Sequence, residues 1–529
     1  MSHEAPQDIR ALPEMQSSIQ VNGRDQNSRG CSEISLIHFA TDDPENPYNW
    51  SKEAFSDSKQ LRKIIIVITG ILTVINSTLS SALPSNAITF IAPDFDISTT
   101  GGNPQLVLPI SIYLVGYVLG PLLFGPLSEV YGRRFPILLT FTGYTGFTLG
   151  TALAPNWASL VIFRLLAGIC ASAPLTIVGG MFADIYDDPV TRGRAIAFFM
   201  ATITTAPSVA PAISGSLSEV YSWRWTFWSA LIIAGVSWVP LVFLPETFGP
   251  VILKSRARKM RKQQSTDGQS HAQVYAPIEV EVKDWQHIVS VVLARPLRMM
   301  VTEPIVTAVC FYLAIAYAIF YMFFQAYPIV FKGIYGMSAS TSGLMFLPIG
   351  AGTCAALVLF FLYDAFLQRS RLMGKTWAHH EESRRLPLAC FGGPLLAISL
   401  LWMGWTARAD VHWLVPCLAG VPFGLGNLLI FMALLNYLAD AYKIFAASAL
   451  AASACTRSVF GAVLPLATTS MYETLGVGWA STLLAFVSFA MCALPFIFIR
   501  YGEVIRSNSA FCQMLKEKET NDRETSESS

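Results

Sequence analysis

The chain has 529 residues, of which 53% are hydrophobic and only 13% charged. A soluble domain carries about 25% charged residues, so composition excludes a water-soluble enzyme, a disordered chain and a coiled coil. With 36 basic and 35 acidic residues the net charge is +1, which gives no global attraction to nucleic acid.

Residues 1–62 form a polar tail without an apolar leader, so the first apolar span is expected to direct insertion. A membrane helix needs about 20 mostly apolar residues. Twelve such spans are predicted: 64–84, 105–125, 136–154, 158–180, 195–217, 224–244, 304–326, 341–362, 387–407, 412–434, 447–469 and 479–499. They fall into two six-helix halves, 63–244 and 303–499, joined by a polar central loop, 245–302, and followed by a tail, 500–529. The expected fold class is therefore an all-α polytopic membrane protein. Spans 4 and 5 are polar-flecked and rich in Gly and Pro, which suits a bundle interior. The central loop carries a basic run from Lys254 to Lys262. Acidic lipid headgroups would attract such a run, but a solvated linker that helps set topology is the simpler expectation.

With twelve spans the two tails share one side with the loops after spans 2, 4, 6, 8 and 10. That side holds 31 of the 36 Lys and Arg residues, which places both termini in the cytoplasm. The nine cysteines form no CxxC or Cys/His cluster: seven lie in apolar stretches, and Cys31 and Cys512 in the tails. His379-His380 sits in a charged loop without ligand spacing. No disulfide framework, metal, cofactor or enzymatic activity is expected. No phosphate-cradling GxxxxGK[ST] motif is present, so ATP-driven transport has no support.

Two cations lie in span interiors, Arg164 in span 4 and Arg457 in span 11, and no Asp or Glu lies near the midplane. A charge at that depth costs at least about 2.5–3.5 kcal/mol and faces the interior of the bundle. Two readings stand for each arginine. It lines a central cavity and attracts carboxylate, phenolate or carbonyl groups of a cargo, or neighbouring backbone carbonyls satisfy it. Span 7 is aromatic, with Tyr317–Tyr321 and Phe320–Phe324 spaced one helical turn apart. Tyr317, Tyr321 and Gln325 are cavity candidates because they add polar groups to an aromatic wall; Asn76, Tyr113, Tyr117 and Asn427 are further ones. Span 1 offers Asn76, Ser77, Thr78, Ser80 and Ser81 but no carboxylate.

Several motifs resemble the major facilitator superfamily, and within it the fungal twelve-helix drug:proton antiporter branch. Gly125-Pro126-Leu127-Ser128-Glu129-Val130-Tyr131-Gly132-Arg133-Arg134 is similar to the superfamily's signature after span 2. Gly125 and Gly132 would permit a tight turn and close backbone approach. Glu129 would accept from a helix N-terminus of the other half, and Arg133, beside Arg134, would pair with Asp184 below span 4 in a charge latch. Phe163-Arg164-Leu165-Leu166-Ala167-Gly168 resembles the family's span 4 motif, and Arg192-Gly193-Arg194 is also similar. Pro211 and Gly215 in span 5 match an antiporter motif in which Ala210 and Ser214 depart from glycine. Leu244-Pro245-Glu246-Thr247 resembles the sequence that closes the first half. Asn46-Pro47-Tyr48-Asn49-Trp50 and Arg457-Ser458-Val459-Phe460-Gly461 resemble the fungal branch. After span 8, Tyr363-Asp364 followed by Arg369 and Arg371 is a worn echo of the signature.

The resemblance implies a monomeric secondary transporter that exports a small amphipathic organic compound, a xenobiotic or secondary metabolite, by alternating access. It further implies protons as coupling ion and residence in the plasma membrane, with the vacuolar membrane as the alternative. An exporter or facilitator of organic anions using Arg164 and Arg457 is a second expectation. A non-transporting membrane sensor is a third, which the short tails disfavour.

Overall fold

The computed structural model describes residues 17–18, 34–39, 43, 45–51, 57–99, 103–266, 273–280, 294–375, 377, 381–442, 445–507 and 513. Cys31, Cys512, His379 and His380 lie outside the described residues.

Prolines divide many of the spans into segments, because a proline removes one amide donor and clashes with the turn before it. Span 1 is Asp57–Ala82 continued by Pro84–Asp94, and span 4 is Trp157–Ala171 continued by Ala173–Ile185. Spans 2, 3, 5 and 6 are Leu108–Tyr131, Arg134–Ala152, Pro189–Val220 and Arg224–Val242. In the second half, span 7 is Pro304–Pro328 with a wider turn at Ile329–Ile334, and span 8 is Ala339–Leu344 followed by Leu347–Leu372. Span 9 is Pro387–Thr406, and span 10 is Leu414–Leu418 followed by Gly420–Tyr442. Span 11 begins as Ala446–Val463.

Ten helical stretches among the described residues are long and apolar enough to cross a membrane by length and composition. Two features complete the twelve. One of the ten stretches, Ala446–Gly502, runs for 57 residues and turns back at Gly476, whose φ of 73° no helix contains, so it is two spans. Span 3 is diluted by threonines, but Thr140, Thr142, Thr145 and Thr151 each return a hydroxyl to a carbonyl of their own helix at 2.7–2.9 Å. Their polarity is satisfied internally and does not bar the span from lipid. Span 12 continues through Ala493–Ser507, past the expected end at 499.

Spans 2 and 11 pack together, as do spans 5 and 8, and these pairs join the two halves. Spans 3, 6, 9 and 12 turn large apolar side chains outward, among them Leu139, Val239, Ile398 and Phe486. That exposure suits a surface facing lipid tails.

The central loop is more than the expected solvated linker. It contains a helix, Gly249–Thr266, and a strand, Gln273–Tyr275. That strand runs parallel to Ile34–Leu36 of the N-terminal tail, which pairs antiparallel with Ser17–Ser18. Leu253 and Ala257 bury their apolar groups against Val274 and Ala276, with Ile37 and Phe39 alongside. Arg256 binds Asp43, and Arg261 binds Glu279 at 2.8 Å, so inward-turned members of the basic run are paired. Lys254, Arg258, Lys259 and Lys262 remain exposed.

Candidate functional site

The polar run of span 1 organises the first half. Pro84 has no amide hydrogen, so the carbonyl of Ser80, four residues earlier, loses its helical donor. Arg164 supplies the replacement. Its Nη1 donates to Ser80 O at 3.0 Å, its Nε to Pro109 O at 2.9 Å and its Nη2 to Ser81 O at 3.4 Å. The guanidinium carbon lies 4.2 Å from the Tyr113 ring centroid, and the residue is 2% exposed. Hydrogen bonds from a charged donor contribute about 1.5–3 kcal/mol each, enough together to offset the cost of burial. The expectation that Arg164 lines the cavity is therefore corrected: backbone carbonyls of spans 1 and 2 occupy its fork.

Three other candidates are likewise committed elsewhere. Tyr113 and Tyr117 donate their hydroxyls to the carbonyl of Ser77 at 2.9 and 2.8 Å and are buried between helices. Asn76 donates to Leu72 O at 2.8 Å and Ser237 Oγ at 2.7 Å, which turns it toward span 6. Gln325 lies half-buried one turn beyond Tyr321 and is not among the residues around the chamber.

The chamber lies between the halves and, in this conformation, is a narrow cavity of about 20 Å³. Thr78 of span 1, Met200, Ile203 and Thr204 of span 5, Tyr317, Phe320 and Tyr321 of span 7, Asn427 and Phe431 of span 10, and Arg457 of span 11 line it. Of the sequence candidates it brings together Tyr317, Tyr321, Asn427 and Arg457. Sequence reasoning missed Met200, Ile203 and Thr204, although their spacing puts them on one face of span 5. It also missed Phe431, one turn from Asn427.

Tyr321 reaches across the chamber to the other half, its hydroxyl 2.7 Å from Ser81 Oγ. Tyr317 and Tyr321 place their ring centroids 4.9 Å apart. Arg457 stands 5.6 Å from the Tyr317 ring and 5.3 Å from that of Phe431. Its Nε is buried without a hydrogen-bond partner, and so is Oδ1 of Asn427. No Asp or Glu lines the chamber.

At the Val220 end of span 5 the halves are pinned together. A Cβ on Gly215 would lie 2.3 Å from Ala339 O, and one on Gly343 would lie 2.3 Å from Pro211 O. Only glycine permits backbones this close. Asn86 donates to Ala339 O at 3.1 Å, Ser216 and Ser340 meet at 2.9 Å, and Glu219 accepts from the Ser340 amide at 2.8 Å.

At the opposite end each half carries its own charge cluster. In the first, Arg133 Nε binds Asp184 at 3.0 Å and its Nη1 donates to Ser128 at 2.7 Å. Glu246 accepts the amides of Arg133 at 2.7 Å, Arg134 at 3.1 Å, and Thr247 and Phe248 at 3.0 Å. Gly132, at φ 87°, closes the turn, and a Cβ there would strike the Glu246 carboxylate. Gly125 sits in a helical turn with open space beside it, so the expected close approach does not occur there. Glu129 is exposed. Glu246, seen in the sequence only as part of a motif, is the hub of this cluster.

In the second half, Asp440 at the end of span 10 binds Arg384 at 2.5 Å and Arg385 at 2.8 Å. Burial, and then the neighbouring Arg385, holds Arg384 below its ordinary pKa. This cluster, rather than Asp364 with Arg369 and Arg371, is the counterpart of Arg133–Asp184. A buried carboxylate, Glu303, begins span 7 and accepts from the Tyr442 hydroxyl at 3.0 Å.

Two helical halves that meet around a shared chamber and are pinned at one end define a membrane transporter. The chain belongs to the major facilitator superfamily, whose family model matches residues 69–465. It is 37% identical over 476 residues to the major facilitator superfamily multidrug transporter mdrA of Aspergillus fumigatus, covering 90% of this chain and 75% of that protein. It is also 37% identical over 474 residues to the efflux pump FUBT of Fusarium oxysporum, covering 89% and 76%. Among solved structures the proton:xylose symporter XylE superposes with a TM-score of 0.57 at 17% identity, covering 83% of this chain and 94% of that one, which is a likeness of fold.

Proposed function

We propose that this chain exports a small amphipathic organic compound, a xenobiotic or secondary metabolite, by alternating access of its two halves. The observation that carries the reading is the aromatic chamber between halves pinned together by close backbone contacts at the Val220 end of span 5. Such a chamber empties when the halves rock about it. The multidrug transporter and efflux pump to which the chain is similar support the direction and the kind of cargo.

The pinned end faces outward if the Lys- and Arg-rich side is cytoplasmic, with both termini inside and the plasma membrane as the site of residence. The conformation described is then closed to the outside. Arg133, Asp184 and Glu246 hold the inner end of the first half in its present shape. Glu129 is the acidic group free to reach the second half when the inner side closes. Protons are the proposed exchanged ion, with Glu303 as carrier, since the chamber itself has no carboxylate. The transporter acts as a monomer.

Flux into inside-out vesicles of wild type, with and without a pH gradient, tests this. Gradient-dependent accumulation of hydrophobic compounds is expected, and Glu303→Gln is expected to reduce the dependence. Equal accumulation without a gradient would make the protein a facilitator. No transport across a broad panel of hydrophobic compounds would refute export.

A further inference from the structure

We propose that the chamber selects aromatic or conjugated cargo bearing an oxyanion next to a hydrogen-bond donor, such as a hydroxy-substituted aromatic carboxylate. Arg457 receives the oxyanion and Asn427 the neighbouring donor. The inference rests on the export reading given above and names its substrate class.

Among the described residues Arg457 makes no hydrogen bond or ion pair; the rings of Tyr317 and Phe431 lie beside its guanidinium. An arginine at this depth is costly, and Arg164 demonstrates how the same bundle satisfies one when nothing else will. Leaving Arg457 unpaired makes sense when a transported group completes it. A guanidinium presents a fixed fork of donors that matches a carboxylate or an enolate.

Asn427 supplies the second half of the recognition. It is 3% exposed, and its Oδ1 is buried with no donor. A buried acceptor of this kind rejects a ligand that brings no hydrogen to it. Asn427 and Phe431 lie one turn apart on span 10, and Phe431 is also a ring neighbour of Arg457, so both polar groups line the same chamber.

The remaining wall fixes the body of the cargo. Tyr317 and Phe431 flank the arginine, and Phe320 extends the apolar surface. The hydroxyls of Thr78 and Thr204 are turned back to their own helices at 2.8 and 3.3 Å, so they do not compete for the oxyanion. With no carboxylate on the wall, a cationic cargo finds no counter-charge.

The test is binding and flux with the full chain in lipid nanodiscs and vesicles at neutral pH. The probes are 3-hydroxybenzoate, benzoate, methyl 3-hydroxybenzoate and benzylamine. Wild type should bind 3-hydroxybenzoate roughly tenfold or more tighter than its methyl ester, the ratio that one charge-assisted hydrogen bond supplies. Arg457→Gln should bring that ratio close to one while its thermal unfolding stays at or above the wild-type temperature. Arg457→Lys should recover only part of it. Asn427→Leu should weaken 3-hydroxybenzoate but leave benzoate unchanged.

An acid-to-ester ratio near one in wild type would overturn the proposal. So would a ratio preserved in Arg457→Gln, or benzylamine binding as tightly as the acid. Transport of neutral hydrophobic compounds, read in the same vesicles, separates this failure from failure of the export reading. If neutral compounds move and acids gain no preference, only the cargo class falls.

Discussion

Arg164 and Arg457 are the same residue, one inside each six-helix bundle, yet their surroundings differ. Arg164 has its fork filled by Pro109, Ser80 and Ser81 carbonyls and a tyrosine ring beneath it. Arg457 has rings beside it and a buried Nε with no acceptor. The first fastens a proline-broken helix to its neighbours, and the second waits in the chamber. The difference shows that an intramembrane charge marks a function only after the backbone around it has been counted for orphaned carbonyls.

The largest expected effect comes from exchanging each arginine for glutamine. Arg164→Gln leaves up to three buried carbonyls without charged donors, at about 1–3 kcal/mol each. Thermal unfolding should drop by many degrees, or the protein should be lost from the membrane fraction. Arg457→Gln should unfold at or above the wild-type temperature, because an unpaired buried charge has been removed. Equal losses in both variants would erase the distinction.

A smaller effect is expected from the rings. Tyr317→Leu should weaken aromatic acid binding by roughly threefold to thirtyfold, the range of a desolvated cation–π contact, with little change in unfolding. Tyr113→Leu removes both the ring under Arg164 and a donor to Ser77, and should lower stability instead.

A double-mutant cycle sharpens the comparison further. Pro84→Ala restores the amide that Ser80 lacks, so Arg164→Gln should cost less in that background. A coupling of about 1 kcal/mol between the two sites is expected from contacting partners. Additive effects would mean that Arg164 does not serve the proline break.

The smallest effect concerns pH. Asp188 caps span 5 and accepts from the Thr191 hydroxyl and amide and the Val190 amide, and these bonds hold its carboxyl below the usual range. A lowered carboxyl pKa stabilises above the unfolded value and loses that stabilisation only as pH falls through the folded one. Asp188→Asn should therefore match wild type in its pH profile from neutral to mildly acidic conditions and diverge only in strong acid, as followed by circular dichroism.

The twelve spans and the two arginines were legible in the sequence because hydropathy and charge are local quantities. Which arginine is free was not, since Arg164 is satisfied by carbonyls that only the tertiary fold brings near. Asn76, Tyr113 and Tyr117 were misread for a related reason: a polar group facing inward meets another helix as readily as a cavity. The second-half cluster was sought after span 8 by analogy with the first signature, at Asp364, whereas its acid is Asp440 at the end of span 10. Asp184 near the end of span 4 was the signal that could have located it. The folding of the central loop stayed hidden because its partner strand lies more than two hundred residues away.

That strand has a topological corollary. Backbone groups of Ile34–Leu36 and Gln273–Tyr275 share hydrogen bonds, with Ile37 N also 3.1 Å from Tyr275 O. Two segments joined this way are bathed by the same water, so the chain between them must cross the bilayer an even number of times. Arg506, bound to Glu382 at 2.6 Å, imposes the same parity from the far side of span 8 to the end of span 12. An error of one crossing within either interval would tear a ribbon or an ion pair apart, whatever hydropathy or charge asymmetry suggested.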